Sequence, residues 1–182
     1  MKIIAVGLLA LASLSAFGAT LNYSATTVGG PTWNRPVEGT PPNSISGVGT
    51  VVAYDVLPFW VDLSGSYTFQ NTGVTPANWD NYTFLYVTSF NPAAQLTNVI
   101  IGDDDNLVIG LSGFTTNLTA STQYYFVTTG FGNTDAGAFN LEISGQGNIT
   151  AGQVNGQVPE PSTWALAGLG LAALSVISRR RK

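Results

Sequence analysis

The chain has 182 residues. A segment at each end has the composition of a targeting signal, which leaves about 140 residues, enough for one domain with a real core. The sequence contains no cysteine and no histidine, which excludes disulfides, Ser-His-Asp and Cys-His catalysis, and histidine-ligated zinc.

Charged residues make up 9% of the chain, against roughly 25% in an average soluble domain. Between positions 20 and 157 the only base is Arg35, whereas the acidic residues there are Glu38, Asp55, Asp62, Asp80, Asp103, Asp104, Asp105, Asp135 and Glu142. An acidic body repels phosphate, so we expect no nucleic-acid partner. A surface of hydroxyls and amides with few ions is typical of an extracellular β-rich protein.

Residues 1–18 predict a secretory signal peptide. Lys2 precedes an apolar run over residues 3–14, expected to be a short helix, and small residues follow it. Ala16 and Gly18 stand at −3 and −1 of a cleavage site after Gly18. The run is short for a bilayer span, which argues against a retained anchor. We therefore expect signal peptidase to process the chain during export.

Residues 19–46 are rich in glycine, proline, threonine and asparagine and show little periodicity. They predict an irregular N-terminal arm or one irregular edge strand, with the folded domain beginning at residue 47.

Residues 47–150 predict an all-β fold, a single antiparallel β-sandwich of the jelly-roll type. Alternation places Phe139, Leu141 and Ile143 inward, and residues 107–111 repeat this pattern. Segments that are apolar on both faces, such as residues 82–87, predict central strands. The predicted strands are residues 48–54, 59–63, 66–70, 82–89, 99–101, 107–111, 123–129 and 138–144.

Short patterns in this body resemble the bacterial pre-peptidase C-terminal domain, a β-sandwich accessory module of secreted proteins. The matching segments are residues 65–69, 80–86, 102–106, 118–125 and 137–141. The resemblance implies a module without catalytic activity.

Asp103, Asp104 and Asp105 form one acidic turn, to which Asp80 adds a fourth carboxylate. Carboxylate oxygens are the ligands that Ca²⁺ prefers, so the sequence offers a candidate calcium site. The alternative is a solvated turn between two strands.

Trp79 and Trp33 are candidates for a sugar-stacking surface, with Trp79 in a turn-like segment over residues 76–80. The alternative is that both rings belong to the core, as large aromatic side chains usually do.

A glycosidase that uses two carboxylates needs no histidine and remains a remote alternative. Glu38 and Glu142 are the only glutamates of the body, and nothing in the sequence pairs them. We therefore expect a protein that is not an enzyme.

After a linker over residues 151–157, the C-terminal tail has three parts. An extended motif comes first, formed by Val158, Pro159, Glu160 and Pro161. Residues 163–178 then predict a transmembrane helix about 24 Å long, against a hydrocarbon core of about 30 Å. Interfacial anchors extend that span and place the C-terminus in the cytoplasm: Trp164 at one side and Arg179, Arg180, Arg181 and Lys182 at the other.

This order of motif, helix and basic end resembles the PEP-CTERM sorting signal of Gram-negative bacteria. The resemblance implies that Pro159, Glu160 and Pro161 are substrate residues of an exosortase-type enzyme. It also implies that the membrane holds the precursor only transiently, before transfer to the cell surface or extracellular matrix. A permanent C-terminal anchor is the alternative.

We therefore expect an exported surface protein with a structural or adhesive role in biofilm exopolysaccharide. The alternative is a sandwich module that binds calcium or carbohydrate.

Overall fold

The computed structural model describes residues 18–154, which form ten β-strands and no helix. In chain order the strands are β1 (Ala19–Thr26), β2 (Thr32–Trp33), β3 (Val52–Val61), β4 (Gly65–Thr75), β5 (Asn81–Val87), β6 (Val99–Asp103), β7 (Leu111–Leu118), β8 (Tyr124–Gly130), β9 (Ala138–Gly145) and β10 (Ile149–Ala151). Over this part of the chain, no helix has the length and apolar character that a membrane span requires. The predicted signal helix and the tail at 158–182 lie outside the described residues.

The strands form two antiparallel sheets. One sheet has the order β1-β9-β4-β7, and the other has the order β10-β3-β8-β5-β6, with β2 paired to β3. Apart from β2 and β10, eight strands pass between the sheets in the order of a jelly roll. The predicted all-β sandwich is confirmed.

The main core lies between the two sheets. Phe69 of β4 stacks on Phe126 of β8 with ring centroids 5.5 Å apart, and Phe139, Leu141 and Ile143 of β9 are buried beside them. The inward alternation predicted for β9 is therefore correct. Because each fully buried large apolar side chain contributes about 2 kcal/mol, this layer makes a large contribution to the stability of a sandwich without disulfides.

A second core covers the outer face of the six-stranded sheet. Trp33 packs there against Tyr54 and Phe84 at ring-centroid distances of 5.5 Å for each pair. The chain over residues 27–51 lies on this face and is connected to it by β2 and by the Gly39–Gly102 bridge. Strands β5 and β8 are therefore buried on both faces, as their continuous apolar sequences predict.

Residues 19–26 form a strand at the edge of the four-stranded sheet, which agrees with the alternative of an edge strand except that the strand is regular, and no irregular arm is present over this stretch. β1 pairs with β9 in continuous register from Ala19–Gly145 to Thr26–Ala138. Leu21, Tyr23 and Ala25 are half-buried against the core, and polar residues alternate with them. The period-two pattern is weak because two of the four inward positions, Ala19 and Ala25, are alanines. The sandwich begins at β1 and not at residue 47.

The strand predicted over residues 107–111 is not formed, because residues 107–110 are an exposed loop and β7 begins only at Leu111. Leu107 has a positive φ of 79° and Gly110 one of 88°, so the backbone reverses within these few residues. Leu107 is 93% exposed, and Val108 and Ile109 are each 56% exposed. The apolar alternation of this segment does not correspond to burial.

The two strands predicted over residues 48–54 and 59–63 are one long strand, β3. β2 pairs with Val52 and Ala53, and β10 pairs with residues 59–61. Pro58 lies between these stretches, where β8 is the only ladder partner of β3. A proline is tolerated in a strand at such an open edge because it has no N–H to donate.

Candidate functional site

Three carboxylates meet at one end of the sandwich. Asp80 directly precedes β5, and Asp104 and Asp105 directly follow β6. Because β5 and β6 are antiparallel and Thr83 pairs with Asp103, the start of one strand lies beside the end of the other. One oxygen from each of the three carboxylates lies within 4.8 Å of the other two. We call Asp80, Asp104 and Asp105 the acidic cluster.

Burial and mutual repulsion disfavour the charged forms in the acidic cluster. Burial, followed by the charges of Asp80 and Asp105, raises the pKa of Asp104 to about 7. Burial and the charge of Asp105 also raise the pKa of Asp80. The Oδ1 atoms of Asp80 and Asp104 are both buried without a hydrogen-bond partner among the described residues. Two carboxylates are thus held close together with unsatisfied oxygens.

Arg35 lies close to the acidic cluster but is held by other groups. Its guanidinium lies 3.9 Å from the ring centroid of Tyr82. Nε and Nη2 donate to the carbonyl of Phe131, and Nη1 donates to the carbonyl of Pro36. The charge of Arg35 lowers the pKa of Asp104, but burial and the charges of the neighbouring acidic residues raise that pKa by more. One base therefore offsets only part of the local negative charge.

Asp103 does not belong to the acidic cluster, although the sequence analysis placed it there. Its Oδ2 accepts the backbone N–H of Gly113 at 2.8 Å. Asp103 is the last residue of β6, where successive side chains point to opposite faces, so it points toward β7. The predicted set of four carboxylates is therefore reduced to three.

Neither predicted sugar-stacking tryptophan is exposed, so that prediction is wrong. Trp79 is 6% exposed, and its Nε1 donates to the carbonyl of Ala138 at 2.8 Å. Trp33 is 4% exposed, and its Nε1 donates to Thr129 Oγ1 at 3.1 Å. Both rings belong to the cores.

The outer face of the four-stranded sheet carries polar side chains from all four strands, and the sequence analysis did not identify it. Its main outward polar residues, here called the polar face, are Thr20, Asn22, Ser24, Ser66, Thr68, Gln70, Thr72, Thr115, Asn117, Asn140, Glu142 and Ser144. Glu142 is the only charged side chain among them. The half-buried Leu111, which pairs with Thr72, shares this face on the edge strand β7. The sequence did contain a signal for this face, because threonine, serine and asparagine recur at alternate positions along β1, β4 and β7.

A groove crosses the polar face over β1, β9 and β4. Its volume is about 380 Å³, and its polar lining comprises Asn22, Ser24, Gln70, Thr72, Asn140 and Glu142. No other carboxylate lines this groove. It offers neutral hydrogen-bonding groups with one anionic acceptor.

Comparison with known families identifies the C-terminal segment. A family model described as the PEP-CTERM protein-sorting motif matches residues 157–182. The tail is a PEP-CTERM sorting motif. The motif implies an exported, membrane-anchored precursor that an exosortase-type enzyme processes and sorts to the cell surface. The predicted motif residues 158–161, Trp164 and the basic end 179–182 all lie within this match.

The chain has distant structural neighbours among solved structures. A CBM35 from Cellvibrio japonicus Abf62 is 13% identical, covers 73% of this chain and 99% of its own, and has a TM-score of 0.36. The K3 cleaved adhesin domain of Lys-gingipain from Porphyromonas gingivalis W83 is 16% identical, covers 71% and 91%, and has a TM-score of 0.32. The Cowpea Mosaic Virus empty virus-like particle is 12% identical, covers 84% and 91%, and has a TM-score of 0.33. No curated protein matches the chain.

Proposed function

We propose that the chain is a non-enzymatic precursor whose β-sandwich is delivered to the surface or extracellular matrix of a Gram-negative bacterium. Its role there is structural or adhesive, within biofilm exopolysaccharide. The observation that carries this proposal is the PEP-CTERM motif at residues 157–182, which follows directly on the sandwich.

Two features support a role without catalysis. The absence of histidine and cysteine removes the common nucleophile and base pairs. Hydrolysis of a glycoside by acid–base chemistry needs two carboxyl groups on either side of the substrate, and the groove on the polar face contains one, Glu142. Glu38 and Asp104 both line a second pocket beside Arg35, so the lack of a second carboxyl group holds for the polar face alone.

The sorting step is tested with the full chain in its natural host. Replacement of the motif by Pro159→Ala with Glu160→Ala is expected to retain the precursor in the membrane fraction. Wild-type protein released at the surface is expected to lack residues 179–182 by mass spectrometry. The variant Glu38→Ala is the control, because it changes an exposed glutamate of the body outside the groove on the polar face and should be sorted normally. Surface-released wild-type protein with an intact Arg179–Lys182 end would refute cleavage by a sorting enzyme.

Calcium binding by the acidic cluster is the second candidate function. The observation that favours it is the pair of buried, unpartnered Oδ1 atoms of Asp80 and Asp104, which lie close to Asp105. Three carboxylate oxygens supply part of the six to eight oxygens that Ca²⁺ takes, and a weak site is relevant at the millimolar calcium concentrations outside cells.

Calcium binding is measured as a change in thermal stability of the full chain in detergent. The melting temperature is expected to rise with millimolar Ca²⁺ relative to a chelator, because a ligand that binds only the folded state stabilises it. Asp80→Asn with Asp104→Asn should abolish the rise. Asp103→Asn is the control and should retain it, because Asp103 lies outside the acidic cluster. Equal rises in the wild type and the double variant would exclude this site.

A further inference from the structure

The register of the four-stranded sheet arranges the polar face in rows. One row contains Thr20, Ser144, Thr68 and Thr115, and the next contains Asn22, Glu142 and Gln70. Neighbouring strands in a sheet lie about 4.8 Å apart, and residues on one face of a strand lie about 6.8 Å apart. The polar face is therefore a regular array of hydroxyl and amide groups.

Internal hydrogen bonds fix part of this array. Ser24 Oγ donates to Asn140 Oδ1 at 2.7 Å, and the hydroxyls of Thr68 and Thr115 lie 2.9 Å apart. Side chains held in this way lose less conformational entropy when a ligand binds. Among the described residues, the amide of Asn22 and the carboxylate of Glu142 have no side-chain hydrogen-bond partner and line the groove. The groove thus combines side chains that are held by internal hydrogen bonds with polar groups that are available to bind a ligand.

We propose that the groove on the polar face binds a strand of uncharged polysaccharide. This inference rests on the proposed surface function and names its ligand class and its site. Sugar hydroxyls donate and accept hydrogen bonds, which matches the asparagine amides and the Glu142 carboxylate. The groove volume of about 380 Å³ lies in the range of small-ligand clefts.

Charge and polarity favour this ligand over others. An acidic polysaccharide is repelled by Glu142 and by the surplus of acidic residues in the body. A partner protein that buries apolar side chains in its interface would meet few apolar side chains here, because the outward side chains are polar except at positions such as Leu111 and Ala138.

Tyr23 also lines the groove, but its ring packs against Phe139 and its hydroxyl donates to Asp55, so it is not free to stack on a sugar, and this limits the affinity of one site. Each hydrogen bond to a sugar replaces one to water, so its net contribution is small. Retention on a polymer then depends on many copies binding the same strand.

The binding test uses protein released from the surface of the natural host and native electrophoresis in gels that contain polysaccharide. The extracellular polysaccharide of the same cells is separated by anion exchange into an uncharged and an acidic fraction, and these are the probes. The uncharged fraction is expected to retard the wild-type protein. Asn22→Ala with Glu142→Ala should weaken the retardation about tenfold, since the groove loses an amide and a charged acceptor.

Asn43→Ala with Glu38→Ala is the matched control. It removes the same two residue types, both exposed and both on the segment that covers the other sheet, and should leave retardation unchanged. The proposal is overturned if the uncharged fraction has no effect, if the acidic fraction retards more strongly, or if both double variants behave alike. Delivery of the protein to the cell surface is measured separately, by cell fractionation. Protein that reaches the surface but is not retarded would refute this inference and leave sorting intact.

Discussion

Five polar side chains lie inside the sandwich, between the sheets at the end that carries the acidic cluster. They are at most 1% exposed: Asn71, Asn81, Thr83, Ser112 and Thr128. Asn71 Nδ2 donates across the core to Thr128 Oγ1 at 3.0 Å. The hydroxyls of Thr83 and Ser112 and both polar atoms of Asn81 have no partner among the described residues. Each unsatisfied group costs about 1–3 kcal/mol, so this layer lowers the stability of the domain.

Replacing Thr83 by valine should therefore stabilise the protein. The variant Thr83→Val exchanges an unpartnered hydroxyl for a methyl group of similar size, and the free energy of unfolding should rise by about 1 kcal/mol. Chemical denaturation measures this change. Thr128→Val is the control and should lower stability, because Asn71 then loses its acceptor. A loss of stability in Thr83→Val would show that a water molecule or an ion satisfies the Thr83 hydroxyl.

Asp104 should make stability depend on pH in the absence of calcium. The folded state raises its pKa to about 7, above the ordinary value of 3.8, so the folded protein binds the proton more tightly than the unfolded chain. This contribution is complete below about pH 4 and is lost as the pH rises through about 7. Asp80, Asp105, Glu38 and Arg35 are the charged groups around it.

Thermal melts of the wild type and Asp104→Asn between pH 4 and pH 8, in chelator, measure this effect. The melting temperature of the variant should fall less over this range than that of the wild type. Parallel curves for the two proteins would contradict the assignment.

At the level of elements, the loop between β6 and β7 should tolerate changes that β9 does not. Ile109 is 56% exposed in this loop, whereas Ile143 of β9 is fully buried in the main core. Ile109→Ala should change the free energy of unfolding by less than about 0.5 kcal/mol. Ile143→Ala should cost about 2–5 kcal/mol because it leaves a cavity. The two denaturation midpoints measure the contrast, and comparable losses would place residues 107–111 in a strand after all.

Strands with strong local patterns could be predicted from the sequence. The alternation of β9 and the continuous apolar runs of β5 and β8 follow from burial on one face and on both faces, respectively. β7 was missed because Phe114 is its only aromatic residue and glycine and polar residues fill its centre. The same local pattern in residues 107–111 was misleading, since periodicity does not show where the backbone reverses.

The candidate sites were predictable only in part. The run of three aspartates identified the acidic cluster, but the end of β6 decides which of them face Asp80, and that boundary is not evident from composition. The burial of Trp79 and Trp33 depends on contacts with residues distant in sequence, such as Ala138 and Thr129. The groove requires the pairing of β1 with β9, which lie near opposite ends of the described chain.

At the scale of the whole molecule, Val154 and the acidic cluster lie at opposite ends of the sandwich. Val154, the last described residue, donates its N–H to the side chain of Gln123, directly before β8 begins. β8 ends beside Asp80, whose carbonyl accepts the N–H of Phe131 at 2.9 Å. The length of this strand separates the two ends by about 20 Å.

Val154 fixes the end of the sandwich from which the chain continues toward the PEP-CTERM motif. The polar face runs along the strands of the four-stranded sheet, so it extends away from that end over the length of the domain. Under the proposed function, a polymer that lies on the polar faces of several copies touches many of them at once, so the density of copies, more than the strength of one contact, sets how firmly the polymer is held.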